Sequence, residues 1–373
     1  MEPTGNDSVE HSLANAIWAN KVGDGASSTR CLRSAQLLKC YTDRFAATSS
    51  RCDEDELRRT VVQLKSNPSA AKESIIASAN HESAEAILEC AVRLIFMTAC
   101  QTQGTALGSY DVHEWKIDES LSSFLNRVYP EAFAGGIPEQ SVSIGNLTAH
   151  TLSKNAGVNI AATDTLSDHL SLIKGEGFKT LLVFHHRAFL EHGLEVLKAD
   201  NADLSHTKLE ALSLGCLPPK FLLETLRTLD LVFPPFGDKQ SQRILQKWVQ
   251  RQDLDPDLLK PCLLSLDHSA DQDIPEDLQD LYMQYPHWAP RLARLLKEVE
   301  DPTPTTRWER YAERRKSPRH MYKCALAAFI VAAIFGILAT VLAAIQVWIS
   351  YCAWVEDPKK SLCGAKKAPT PRL

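Results

Sequence analysis

The sequence lacks the patterns by which the common catalytic sites are recognised. It contains no GxSxG elbow, no GxxxxGK(S/T) loop, no GxGxxG turn and no HExxH helix. Serine-hydrolase, P-loop, dinucleotide-binding and zincin chemistries of the familiar kind are therefore without support. The ten cysteines (31, 40, 52, 90, 100, 216, 262, 324, 352 and 363) include no CxxC pair and no zinc-ribbon spacing. Scattered thiols in a long chain behave as small buried hydrophobes in a reducing compartment. Cys352 and Cys363 are the exceptions, because they fall at or beyond the far side of an apolar run, where oxidation or acylation is open to them, although plain free thiols are the default expectation. The acidic stretch Asp267–Asp280 lacks the oxygen spacing and central glycine of a calcium loop. No repeat of fixed period occurs. The opening MEPTGNDSVE has neither a basic n-region nor an apolar h-region, so no secretory signal is expected to carry the body across a membrane.

What the chain does have is one long run without charge. Cys324–Ile345, CALAAFIVAAIFGILATVLAAI, is 22 residues long and ends 28 residues from the last position. A helix rising roughly 1.5 Å per residue would span about 33 Å here, enough for a hydrocarbon core of about 30 Å. Eleven strongly apolar side chains in the run give an insertion free energy of roughly −3 to −7 kcal/mol as an upper bound. Tyr322 precedes it, and Trp348, Tyr351 and Trp354 follow as interfacial anchors. A transmembrane helix over 322–351 is predicted.

The flanks set an orientation. Before the run lie Arg307, Arg310, Arg314, Arg315, Lys316, Arg319 and Lys323, seven cations against Glu309 and Glu313; after it come Lys359, Lys360, Lys366, Lys367 and Arg372. Seven cations against five favours a cytosolic body, with a short basic tail, 352–373, on the far side. This describes a tail-anchored, single-pass protein, with the endomembrane system preferred over the mitochondrial outer membrane. The basic set Arg310, Arg314, Arg315, Lys316, Arg319 and Lys323 is also suited to lipid headgroup contact, and Pro318 is expected to kink the segment. Within the run, Ala328, Ala332, Gly336, Thr340 and Ala344 recur every four residues, a seam through which two spans could pack as a homo-oligomer.

The net formal charge of −5, with the basic residues gathered beside the span, gives nucleic-acid binding little basis. Residues 1–29 are rich in small polar residues and read as disordered. The body, 30–300, reads as mainly helical. Its strongest helix covers about 83–100, where Glu85, Glu89 and Arg93 make one narrow polar stripe on an otherwise apolar cylinder. A second helix after Trp115 has Asp118 as its expected N-cap and Leu121, Phe124, Leu125 and Val128 on its apolar face. Further helices are predicted at 206–214, 219–231, 240–252 and 276–299. Between them, Val158–Ala162 and Thr180–Phe184 are β-prone around Gly175-Glu176-Gly177, predicting a small hairpin or strand pair within 157–187. Pro302 and Pro304 mark a hinge at the start of the juxtamembrane segment, 301–321.

The ordered set Trp115, Leu121, Phe124, Leu147-Thr-Ala, Leu152, Thr163-Asp-Thr-Leu-Ser-Asp-His-Leu170, Leu182-Val-Phe-His-His186, Phe189-Leu190, Glu224-Thr-Leu-Arg-Thr-Leu229, Phe233-Pro234, Tyr285 and Trp288, followed by a basic stretch and a span, resembles a large uncharacterised group of filamentous-fungal proteins. The resemblance covers roughly 85–355, and 163–170 and 315–319 are somewhat altered from the group's pattern. It implies a membrane-anchored, mainly helical protein, and brings no reaction, cofactor or catalytic residue with it.

The remaining chemistry is histidine. His169, His185, His186 and His192 fall within one stretch, and Asp164, Asp168 or Glu191 could add a carboxylate to a metal site. As sequence neighbours, His185 and His186 are expected to point different ways, and so are Asp168 and His169. The bland reading, in which these histidines satisfy backbone groups at a strand–helix junction, is the default. No cofactor is expected. The overall expectation is a non-catalytic interaction or scaffold protein that recruits a protein partner to a lipid membrane. A membrane-tethered enzyme of unfamiliar type, using 163–192, is the alternative. A pore or transporter subunit is a third, disfavoured because the span carries no ionisable residue.

Overall fold

The computed structural model describes residues 17, 54–79, 84–101, 113–133, 144, 147–260, 275, 277–304 and 318–354. They fall into two units, Met1–Thr303 and Pro304–Leu373. The first unit carries helices α1 (Glu54–Ser66), α2 (Lys72–Ala79), α3 (Ala84–Phe96), α4 (Leu121–Val128), α5 (Ala149–Asn155), α6 (Arg187–Asp200), α7 (Lys208–Ser213), α8 (Pro219–Val232), α9 (Lys239–Gln252), α10 (Leu278–Gln284) and α11 (Ala289–Glu300). Its strands are β1 (Cys100–Gln101), β2 (His113–Glu114), β3 (Asn159–Thr163), β4 (Leu172–Gly175) and β5 (Phe178–Phe184). The body is mainly α, as its sequence periodicity predicts.

Helix α3 forms where the near-continuous apolar surface demands burial. Leu88, Leu94, Ile95 and Phe96 are each at most 1% exposed, while the stripe Glu85, Glu89 and Arg93 stays at the surface or partly so. Burying such side chains stabilises the body by about 1.5–3 kcal/mol apiece, and Leu94→Ala would cost about 2–5 kcal/mol. The helix ends at Phe96, four residues before its predicted end, and Cys100 pairs with His113 in a short parallel ladder.

Two boundaries differ from the sequence expectation, each for a local reason. Helix α4 is capped by Ser120, whose hydroxyl accepts from Ser123 N, and not by Asp118. The preceding turn is held back by Lys72 N donating to Glu119 O at 3.1 Å, by the Trp115 ring N–H on the same carbonyl, and by a bridge between Ala71 and Ser120. The predicted helix 276–299 is broken into α10 and α11. Pro286 has no N–H and its ring collides with the carbonyl four residues back; the chain restarts at Ala289, with Pro290 in the first turn where a missing N–H is harmless. Pro318 is the first described residue of α12, and the rest of the predicted kink within 307–323 falls largely outside the described residues.

The strands predicted at 158–162 and 180–184 appear as β3 and β5, and the small hairpin of the 157–187 region is made by β5 with a strand the sequence pattern did not mark, β4. β4 and β5 run antiparallel through Glu176-Gly177, with Gly177 at φ 84° supplying the left-handed turn geometry. β3 then adds to the other edge of β5 in parallel, Asn159 opposite Thr180 through Thr163 opposite Phe184, giving the order β3-β5-β4. The loop after β3 is pinned by Leu166 N on Met97 O, at 2.6 Å, and Leu170 N on Leu182 O, at 2.8 Å. Helices α6 and α8 pack together, and the apolar side chains of β5 join theirs in one core.

Of residues 1–29 only Ile17 is described. It is helical and fully buried in the core, and its carbonyl accepts from Lys65 Nζ at 2.7 Å, so the expectation of disorder does not hold at this position. At its other end the body runs to Thr303, whose backbone N–H and hydroxyl both donate to Glu298 Oε1.

The second unit contains α12 (Pro318–Trp354). Its apolar stretch Ala328–Trp354 is 27 residues, and none of its most apolar window is buried. At roughly 1.5 Å per residue that stretch is about 40 Å long, more than a hydrocarbon core of about 30 Å requires. The seam residues Ala328, Ala332, Gly336, Thr340 and Ala344 all lie on this helix, and a Cβ added at Gly336 would meet nothing within 4 Å. Arg310, Arg314, Arg315 and Lys316 fall outside the described residues. Arg319 and Lys323 are in the first two turns of α12.

Candidate functional site

The parallel pairing of β3 and β5 decides where the polar residues of 163–192 meet. Thr163 and Phe184 are partners at the carboxyl ends of the two strands. The next residues, Asp164 and His185, therefore emerge side by side, and His186 follows before α6 begins at Arg187. His185 Nε2 lies 2.7 Å from Asp164 Oδ1, and His186 Nε2 lies 2.9 Å from the same oxygen. The two imidazoles pack against each other at a tilt, ring centroids 3.8 Å apart and 41° between planes. The expectation that these neighbours diverge is thus corrected. It applies to residues within a regular helix or strand, whereas His186 sits at the junction with φ −82° and ψ 73°.

An ionised carboxylate can only accept, so each imidazole donates its Nε2–H to Asp164. Asp164 is 58% exposed on its side chain, while His185 and His186 show 11% and 5%. The cluster is therefore a buried imidazole pair beneath a solvent-facing carboxylate. Among the described residues it is the group of histidine and acidic donors arranged to hold a metal ion. His185 Nδ1 is buried without a hydrogen-bond partner among the described residues.

The surroundings of the pair are ionic. His186 is the N-cap residue of α6 but its side chain does not cap it. Asp255, remote in sequence, does so by accepting from Ala188 N at 3.0 Å, and it also accepts from Asp257 N. Burial raises the Asp255 carboxyl above its ordinary value despite those bonds. Arg187, 3% exposed, donates to Glu191 Oε1 and to Asp230 Oδ1, each at 3.0 Å. Neither Asp255 nor Arg187 was apparent from sequence. The Asp255-Pro256-Asp257 triplet carries a turn signal, but nothing in it names its partner 67 residues away.

The other two histidines are elsewhere. His169 is fully buried: its Nδ1 accepts from Phe184 N at 3.1 Å and its Nε2 lies 2.8 Å from Thr228 Oγ1. Since Nδ1 accepts, Nε2 carries the proton and donates to Thr228, whose own hydroxyl donates on to Thr225 O. Burial, reinforced by the Arg291 guanidinium, pushes the His169 imidazole down to about 3. It is a neutral structural histidine with both nitrogens engaged. His192 lies one and a half turns into α6, beside Glu195, and does not join the cluster. Of the alternative carboxylates, Asp168 is buried on the 3-10 turn Leu166–Asp168 and Glu191 serves Arg187.

Among the described residues, Cys100 and Cys216 are not suited to act as nucleophiles. Burial pushes Cys100 and Cys216 up to about 12, so neither forms a thiolate near neutral pH. Apart from the histidine cluster, the body has a recess of about 910 Å³ lined in part by Arg127, Lys174, Arg291, Arg294 and Lys297. Arg127 is occupied by Glu119, Lys174 by Glu298, and Arg291 by the carbonyls of Ser167 and His169. Compared with family models, with curated proteins and with solved structures, the chain matches none.

Proposed function

We propose that this protein is a single-pass, membrane-anchored interaction protein whose helical body lies on the cytosolic side and recruits a protein partner to the membrane surface. The observation that carries the reading is α12. Its apolar stretch of 27 residues is left uncovered by the chain, and lipid is the solvent in which such a surface is stable. A core helix of a soluble body would bury that surface, as α3 does.

Orientation is supported twice. The basic residues flanking the span on its N-terminal side outnumber those after it by seven to five. The buried thiols of Cys100 and Cys216 in the body are not disulfide-bonded, while Cys352, near the end of α12, is. Disulfides belong to oxidising compartments and free buried thiols to the reducing cytosol. The resemblance to the filamentous-fungal group agrees with an anchored helical body and adds no reaction. The recruiting role rests on the size of the body and on the large, partly cationic recess within it.

The test is recruitment itself. Proximity labelling from the body should mark a reproducible set of membrane neighbours, and replacing residues 324–354 with an unrelated span should retain that set. A body lacking the span should lose membrane association. A purified full-length chain that turns over a substrate, with turnover abolished by one point substitution in the body, would overturn the non-catalytic reading.

A further inference from the structure

We propose that Asp164, His185 and His186 form a binding site for one divalent transition-metal ion of the zinc class, with a coordination position open to solvent. The three donor atoms lie within 4.8 Å of one another, and both imidazole nitrogens already face one carboxylate oxygen at 2.7 and 2.9 Å. Zinc–nitrogen and zinc–oxygen bonds of about 2.0–2.2 Å in a tetrahedral arrangement set donors roughly 3.3 Å apart. The cluster therefore needs to open by about half an ångström. The partner with room to adjust is Asp164, whose side chain is 58% exposed.

The donor set selects the class of ion. Two imidazole nitrogens and one carboxylate suit zinc, iron(II), cobalt(II) or nickel(II), whereas calcium and magnesium take oxygen cages. Three protein ligands leave at least one position for water, and the exposed side of Asp164 is where that position faces. The local charge favours a cation as well. Arg187 is matched by both Glu191 and Asp230, so its charge is already balanced beside the pair. Asp255 also takes the Ala188 N–H, which offsets the partial positive charge at the start of α6.

The placement is the one in which open α/β sheets bind ligands, at the carboxyl ends of adjacent parallel strands. One feature limits affinity. With the metal on Nε2 the imidazole proton moves to Nδ1, and at His185 that atom has no acceptor among the described residues. A ligand histidine anchored through its second nitrogen binds more tightly, so the site is weaker than a closed structural zinc site and exchanges its ion.

The site is independent of the membrane reading, and its test uses the full-length chain in detergent, purified without a histidine tag and stripped of metal. Titration with cobalt(II) should give one equivalent bound with a visible d–d band, displaced by zinc(II). Asp164→Asn keeps the shape of the exposed ligand and should weaken binding at least about 10-fold; His186→Gln should abolish the band. His150→Gln, on α5, should bind as the unaltered chain does. The proposal is overturned by the absence of a band with equimolar cobalt. It is equally overturned if Asp164→Asn and His150→Gln bind alike. Should His186→Gln fail to fold, Asp164→Asn decides alone, because its side chain is in solvent.

Discussion

Lys179 Nζ lies 2.6 Å from Glu298 Oε1, joining the central strand β5 to the last helix of the body, α11. Both side chains are essentially buried, at 4% and 2% exposure, and Lys174 approaches the other oxygen of the same carboxylate from β4. The ammonium of Lys179 also donates to Ala156 O at 3.0 Å. Burial alone would raise the Glu298 carboxyl, but hydrogen bonds from Lys174, Lys179 and Thr303 outweigh it and bring it down to about 2.

Glu298→Gln should therefore destabilise the body by about 3–5 kcal/mol, because Lys179 is left as a buried charge without a counter-ion. Lys174→Met removes only the half-exposed partner and should cost under about 1 kcal/mol. Thermal unfolding of the full-length chain followed by circular dichroism in detergent separates the two. Equal losses would contradict the ranking.

Acid should weaken the body in two windows. The folded His169 imidazole is depressed from 6.5 to about 3, so only the unfolded chain takes up its proton as pH falls from 6.5. Stability from this residue is complete above pH 6.5 and declines by about 1.4 kcal/mol per unit below it, until pH approaches 3. Glu298 adds its own loss only between 4.5 and about 2. His169→Gln should accordingly flatten the decline in melting temperature between pH 6.5 and 4.5. Glu298→Gln should leave that part of the profile in place.

Glu224 is 3% exposed and accepts from His287 N, Trp288 N and His287 Nδ1, at 2.9, 2.8 and 2.6 Å. It serves the two amides at the break between α10 and α11, where no helical carbonyl can. Glu224→Ala should cost about 1–3 kcal/mol for each buried donor left unpaired. Hydrogen exchange at the amides of residues 287 and 288 should accelerate ahead of the rest of α11.

The anchored reading makes its own prediction. Full-length protein should resist extraction by alkaline carbonate, and externally added protease should digest the body of sealed microsomes while sparing residues after the span. Asn6 and Asn146, each in a glycosylation pattern, should remain unmodified. A glycan on Asn146 would reverse the orientation.

Local pattern made part of this structure legible. The polar stripe Glu85–Glu89–Arg93 predicts α3, and the spacing of Phe221, Leu222, Leu226 and Leu229 predicts α8, because helical burial is written at 3.6-residue intervals. Pro286 was present in the sequence, yet apolar periodicity on both sides of it favoured one helix. What sustains the break is Glu224, 63 residues away and invisible to any window. The β3–β5 pairing has the same character, since parallel register leaves no period of its own. The candidate site follows from that register. Histidines at 185 and 186 and an aspartate at 164 were each apparent, but their convergence needs Thr163 opposite Phe184 and a backbone bend at His186.

The bonds from Thr303 to Glu298 govern how the body bears load. A pull along the chain leaving Thr303 reaches Glu298 first and passes through Lys179 into the central strand of the sheet. Force is thus shared between a helix and a strand before the final turn of α11 can be peeled away. Tension on the tether meets a crosslinked joint, and a fraying end is not its point of entry.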